Sequence, residues 1–344
     1  MTDSPTESRR GFLGLGAAAG AAAGAGLLTG VDALLSAAEA APANRVKPTP
    51  RDIAVLRFLA AAELVEADLW GQYAELAQAN RAFKDALDQI DDGLFQYAID
   101  TAEDELSHAE FINAYLKSVG AEPVNLDGFR TIMPPRVQGL KPRGRLTNLT
   151  DLNVDTSWYA RYQSDKNPDF GASFPQIATI RRQSAIPTSD RLKKGELAAI
   201  AQVAAFHFAS IEQGGTSLYC QFTPFVTAVD VMRITSSIYA TEAIHYAVFR
   251  QSLEGVMGVS RADGKLAIPD LRGGKRGSFR VMPLRTRFLD PKFPTCSVIR
   301  PSLTANAGAV AAATGLVQSN LFKGQSATFL NAVVALAKAA DGVA

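Results

Sequence analysis

Cysteine is nearly missing from this chain. Cys220 and Cys296 are the only two among 344 residues, which excludes a disulfide framework and a cysteine-rich zinc module. An excess of one charge is missing as well: 35 basic against 34 acidic side chains give no general case for a nucleic-acid partner. No Gly-rich strand-to-helix loop of the phosphate-binding kind occurs, and no G-x-S-x-G, so nucleotide and nucleophile readings have nothing to stand on. Histidine is scarce too, with three in the whole chain, and that scarcity makes the placement of each one informative. What remains, 47% hydrophobic and 20% charged, is the profile of a soluble globular protein.

The first forty residues stand apart from the fold. Ser8-Arg9-Arg10-Gly11-Phe12-Leu13 places paired arginines ahead of an apolar pair, a weakly apolar Ala/Gly stretch runs from Gly14 to Gly30, and Ala38-Glu39-Ala40 has the A-x-A form of a cleavage site. The pattern resembles a twin-arginine export signal at 1–40, with a mature chain beginning near Ala41. A retained membrane anchor is the competing reading, disfavoured because Ala and Gly are feebly hydrophobic. The export machinery is then the expected partner, the periplasm or the exterior the expected location, and no stable membrane insertion is expected after cleavage.

Charge is segregated along the rest. Residues 51–120 carry 5 basic and 14 acidic groups, residues 121–195 carry 12 and 7, and residues 260–344 carry 12 and 4, so basic segments are expected to wrap an acidic helical body. Apolar residues recur in steps of three and four from Asp52 to about Asn80 and from near Asp92 to Gly120, predicting two long helices. Between 121 and 195 the periodicity gives way to Pro, Gly, Arg and Asn, a stretch too long for a plain connection and expected to carry structure or to cover something. Two nearly uncharged helices are predicted over 194–222 and 226–254. Residues 260–300 read as extended or irregular, followed by alanine-rich helices near 305–320 and 325–340 that are too weakly apolar to span a membrane.

Charged residues interrupt the apolar seams in a repeated pattern. Glu105 and His108 stand three apart, as do Glu242 and His245, a spacing that puts both side chains on one helix face. With 13 glutamates in the chain, two of three histidines carrying one at that spacing is a coincidence of roughly 0.5%. The other two helices each supply a glutamate. Glu212 has no basic residue nearer than Lys194 or Arg233, and a lone buried carboxylate is costly unless something offsets it. On the first helix Glu63 is preferred because Leu69-Trp70 follows it as Leu218-Tyr219 follows Glu212; Glu66 stays open as an alternative ligand or a supporting neighbour. His207 lacks a carboxylate at this spacing and reads as structural. Tyr97, Tyr115, Tyr219 and Tyr246 are expected in core packing, with a redox role beside a metal pair as the less favoured reading.

One Glu from each of two helices plus Glu-x-x-His from each of the others is the ligand set of a four-helix di-iron or di-manganese carboxylate site. The stretches Arg57-Phe58-Leu59-Ala60-Ala61-Ala62-Glu63-Leu64-Val65-Glu66 and Asp104-Glu105-Leu106-Ser107-His108 resemble the paired motifs of the ferritin-like superfamily, and most of all its exported bacterial members. The resemblance covers about 52–120 and 194–254. It implies an all-α fold: a ferritin-like four-helix bundle over 41–259, a long irregular insertion at 121–195 between helices 2 and 3, and a C-terminal extension over 260–344. It also implies Glu63, Glu105, His108, Glu212, Glu242 and His245 as ligands of two Fe or Mn ions, serving an oxidase or peroxide-handling activity. A non-catalytic structural or stress-protective role in the envelope is the alternative. The insertion and tail depart from a compact ferritin, so a cage is not expected.

Overall fold

Thr49 and Asp52 set where the first long helix begins. Thr49 Oγ1 accepts from Asp52 N at 3.2 Å, Asp52 Oδ2 accepts from Thr49 N at 2.8 Å, and Pro50 occupies the first turn, where its missing N–H leaves no bond unmade. In the computed structural model, which describes residues 46–163, 174–272, 282–299 and 307–343, this helix is α1, Pro50–Ala79. The anticipated export segment and its cleavage site lie outside the described residues. Asn80 closes α1 and opens the short α2, Arg81–Asp88, by accepting from Phe83 N at 3.0 Å. Helix α3, Leu94–Ser118, packs along α1; α4, Lys194–Phe222, pairs with α5, Val229–Ser252; and α3 against α5 joins the two hairpins into a four-helix bundle.

The four long helices begin and end within three residues of the positions their apolar periodicity predicts. Helix α2 is not predicted from the periodicity; just beyond it Asp91 Oδ2 accepts from Ser252 Oγ at 2.9 Å and ties the α2–α3 turn to the end of α5. Asp52 makes a matching tie at the opposite end of α5. It accepts from Thr227 N at 2.8 Å and Ala228 N at 3.3 Å, so one carboxylate serves the starts of α1 and α5. Trp70 packs against Phe208 and Phe249 with ring centroids 4.9 and 5.0 Å away, linking α1, α4 and α5 through the core.

The segment between α3 and α4 wraps the bundle through its basic residues, as the charge segregation implies. Asp68, Gln72 and Glu75 lie along one face of α1. Asp68 accepts from Leu146 N and Thr147 N, both at 3.0 Å, and pairs with Arg130; Gln72 donates to Thr147 Oγ1 at 2.9 Å; Glu75 receives Lys141 N at 2.9 Å, Arg143 at 3.0 Å and the buried Arg145. On another side a 3-10 turn, Ser157–Gln163, places Trp158 and Tyr162 edge-on to Tyr246 at 6.0 and 5.3 Å.

The tail is fastened to this wrapping segment. Strand β1, Thr179–Ile180, pairs antiparallel with β3, Leu266–Ile268, which pairs with β2, Val259–Ser260. A second ribbon joins β4, Arg285–Thr286, to β5, Cys296–Ser297. Two helices follow, α6, Ala309–Gln318, and α7, Ala327–Asp341, the second packed on α1, with Asp341 accepting from Ala309 N and Val310 N at 2.8 and 2.9 Å to cap the first. Both cysteines are free thiols, Cys220 buried and Cys296 exposed. Among the described residues no helix is long and apolar enough to cross a membrane.

Candidate metal centre

Each of the four long helices delivers acid to one place midway along the bundle. Glu63 and Glu66 come from α1, Glu105 and His108 from α3, Glu212 from α4, and Glu242 and His245 from α5. The carboxylates of Glu63, Glu105, Glu212 and Glu242 are almost wholly out of contact with solvent. A helix with an acid on its inward face leaves that charge unsolvated unless partners come from other helices. Here the partners are chiefly the two histidines.

His108 Nδ1 lies 3.2 Å from Glu105 Oε2, 3.4 Å from Glu63 Oε2 and 3.6 Å from Glu242 Oε1. His245 Nδ1 lies 3.1 Å from Glu212 Oε2 and 3.2 Å from Glu105 Oε1. The donor atoms fall into two groups, Glu63, Glu105, His108 and Glu242 in one and Glu105, Glu212, Glu242 and His245 in the other, with all atoms of a group within 4.8 Å of one another. Glu105 and Glu242, one from each Glu-x-x-His helix, belong to both. All six residues singled out in the sequence therefore converge.

Glu66 is also at the centre without belonging to either group. Burial, and then the charges of Glu105, Glu63 and Glu212, push its carboxyl well above the usual range. His207 stands elsewhere, hydrogen-bonded through Nδ1 to the Tyr73 hydroxyl at 2.8 Å, and burial pulls its pKa down to about 3. Of the four tyrosines considered from sequence, Tyr219 reaches the centre: its hydroxyl donates to Glu63 Oε1.

Crowded acids share protons rather than all ionising. Burial and the charges of Glu212 and Glu63 raise Glu105 to about 8, against the opposing hydrogen bonds of His108 and His245. Burial, with Glu105, Glu212, Glu66 and Glu63, raises Glu242 well above its ordinary value. For the imidazoles burial works downward and loses to the carboxylates: hydrogen bonds and charge from Glu105 and Glu63 carry His108 up to about 10, and those from Glu105 and Glu212 carry His245 up to about 11.

Two observations fit the centre to metal cations. Buried oxygens of Glu66, Glu212 and Glu242 have no hydrogen-bond partner among the described residues, a costly arrangement for a site that holds only protons. Gly215 on α4 faces the Glu242 carboxylate so closely that a Cβ there would lie 2.1 Å from Oε2, so the helix keeps a glycine where this acid enters. Carboxylate and imidazole donors without thiolates suit iron or manganese.

Two participants escaped the sequence reading. Asp104 accepts from His245 Nε2 at 2.9 Å, behind the ring as seen from the cluster. One position before Glu105, on an acidic helix, it looks like any solvated acid; only the register of α3 against α5 reveals its partner. Gly215 is the other: nothing near it in sequence shows that it makes room for the Glu242 side chain. Residues 51–255 match a family model described as Ferritin-like domain, while no curated protein and no solved structure matches.

Proposed function

Since this chain belongs to the ferritin-like domain family, we propose that its bundle holds two ions of iron or manganese and works as an oxidase or peroxide-handling protein outside the cytoplasm. The observation that carries this reading is the sharing of Glu105 and Glu242 between two buried groups, each completed by one histidine and one further glutamate. Glu63, Glu105, His108 and Glu242 would hold one ion, and Glu105, Glu212, Glu242 and His245 the other. Four carboxylates and two neutral imidazoles would nearly balance two divalent charges. Bound iron or manganese would supply one-electron chemistry toward dioxygen or peroxide.

The chain's own residues do the rest. Nδ1 of each histidine faces the carboxylates, so the ring nitrogens that would ligate are the ones now in contact with them. Tyr219 fixes the rotamer of Glu63 from α4, and Asp104 fixes the ring of His245 from α3. Burial of all four ligand glutamates keeps bulk water from the carboxylate oxygens. The wrapping segment and tail cover helix faces that a storage shell would use for packing between subunits, which favours small-scale redox chemistry over bulk iron storage.

Metal analysis of the exported protein tests the reading, followed by oxygen and peroxide turnover. About two ions per chain, falling in His108→Ala and His245→Ala, are expected; unchanged content in both variants sinks the site. A metal-loaded protein inert toward oxygen and peroxide would leave the non-catalytic role, and a large hollow oligomer filled with iron would restore storage. For the location, Arg9→Lys with Arg10→Lys should strand the precursor inside the cell, and normal export of that variant would overturn the twin-arginine assignment.

A further inference from the structure

The two halves of the centre have the same inward donors and different supports. Behind His245, Nε2 donates to Asp104 Oδ2 at 2.9 Å, so a carboxylate pins the ring and makes Nδ1 a stronger donor. Behind His108, Nε2 has no hydrogen-bond or ion-pair partner among the described residues: the contacts of that ring with Glu63, Glu105 and Glu242 are all through Nδ1. The difference is visible in the sequence once the structure has pointed to it. Asp104 immediately precedes Glu105 in one Glu-x-x-His helix, and Thr241 immediately precedes Glu242 in the other.

The glutamates differ in the same direction. Glu63 accepts a hydrogen bond from the Tyr219 hydroxyl, which occupies one carboxylate oxygen and withdraws electron density from the group. Glu212, its counterpart in the other half, contacts His245 through Oε2, and its Oε1 has no hydrogen-bond partner. The bridging pair, Glu105 and Glu242, is common to both halves and cannot discriminate between them.

Resting on the two-ion reading above, we infer that the halves are unequal: the position formed by Glu105, Glu212, Glu242 and His245 fills first and tightly, and the position formed by Glu63, Glu105, His108 and Glu242 fills second and exchanges. Asp104 is the positioning residue that sets the first affinity, and Tyr219 the one that weakens the second. Outer carboxylates of this kind are worth about 10–100-fold in metal affinity, which sets the expected separation between the two steps.

Anaerobic titration of the metal-free protein with Mn(II), followed by electron paramagnetic resonance and calorimetry, reads the two steps apart. The expected course is a mononuclear signal up to one equivalent, then its conversion to a coupled signal as a weaker second ion enters. His108→Ala should keep the tight mononuclear step, and His245→Ala should lose it. Asp104→Asn should weaken the first step by about 10–100-fold with the melting temperature of the metal-free protein nearly unchanged. Tyr219→Phe should tighten the second, and Thr241→Asp, which puts an acid at the position equivalent to Asp104, should bring the two steps together. Two equal steps in the unaltered protein, or a tight step that survives in His245→Ala and disappears in His108→Ala, overturns the inference while leaving the two-ion reading intact. Absence of Mn(II), Fe(II) and Co(II) binding overturns both.

Discussion

Gly215 and Glu242 share one space: the carboxylate of the second lies where any side chain at the first would begin. Alanine is ordinarily the better helix residue by about 1 kcal/mol, and Gly214 next door, with nothing within 4 Å of its would-be Cβ, should show that gain. Gly214→Ala is therefore expected to raise the melting temperature with metal content unchanged. Gly215→Ala is expected to lower metal content, because Glu242 must leave the cluster. Equal behaviour of the two variants in melting and metal analysis would refute the fit.

Arg145 and Glu75 form the most deeply buried of the ion pairs between the wrapping segment and α1, with side chains 1% and 8% exposed. Removing Glu75 leaves the buried Arg145 guanidinium with Lys141 O as its hydrogen-bond partner, so Glu75→Leu should cost about 3–5 kcal/mol in denaturant unfolding. The double variant Arg145→Met with Glu75→Leu should lose clearly less than the two single losses added together. Simple additivity would mean that the pair does not act as one.

His207 gives the fold an acid sensitivity separate from the centre. Its folded pKa of about 3 lies below the usual 6.5, so above pH 6.5 the ring is neutral in both states; below it the unfolded chain takes up a proton that the folded protein refuses. Stability should fall as pH drops from about 6.5 toward 3, by up to about 1.4 kcal/mol per pH unit. His207→Gln should flatten this slope in urea titrations across that range. An unchanged slope would show that the ring does not carry it.

Metal and protons compete for the same atoms. Burial and neighbouring carboxylates raise the pKa of Glu105, and neighbouring carboxylates raise those of His108 and His245 against burial, so an ion entering the metal-free centre at neutral pH displaces protons. Lowering the pH should weaken Mn(II) binding, and binding at constant pH should release protons into a weakly buffered indicator solution. Chelation of the loaded protein should lower its melting temperature. Binding without proton release would place the ion elsewhere.

The four long helices were legible because their signal is local. Apolar steps of three and four, and Gly120 past one end, depend on residues a turn or two away. The six converging residues were legible for a related reason: Glu-x-x-His is a within-helix spacing, and Glu212 stood out by lacking local cations. What failed to show was relational. Asp104 depends on the register of α3 against α5, Gly215 on the rotamer of a side chain from the neighbouring helix, and α2 on a short turn whose acids gave no periodicity. The wrapping of α1 was visible as a charge imbalance, but not the choice of Asp68 and Glu75 as anchors.

The stitching of the wrapping segment to the tail bears on the order in which the protein can form. Asn148 N donates to Leu321 O, Asn153 N donates to Ser319 O, and β1 at 179–180 pairs with β3 at 266–268, contacts that close very long loops. Such contacts form late, because the entropy of closing the loop is spent before they return anything. During synthesis the hairpin of α1 and α3 can assemble as soon as it emerges, but the strand between it and α4 has no partner until the chain has grown through β3 and on past residue 321. The acids of α1 can meet their partners at 130–147 as soon as these emerge, but the wrapping itself cannot close until the last helices have been translated.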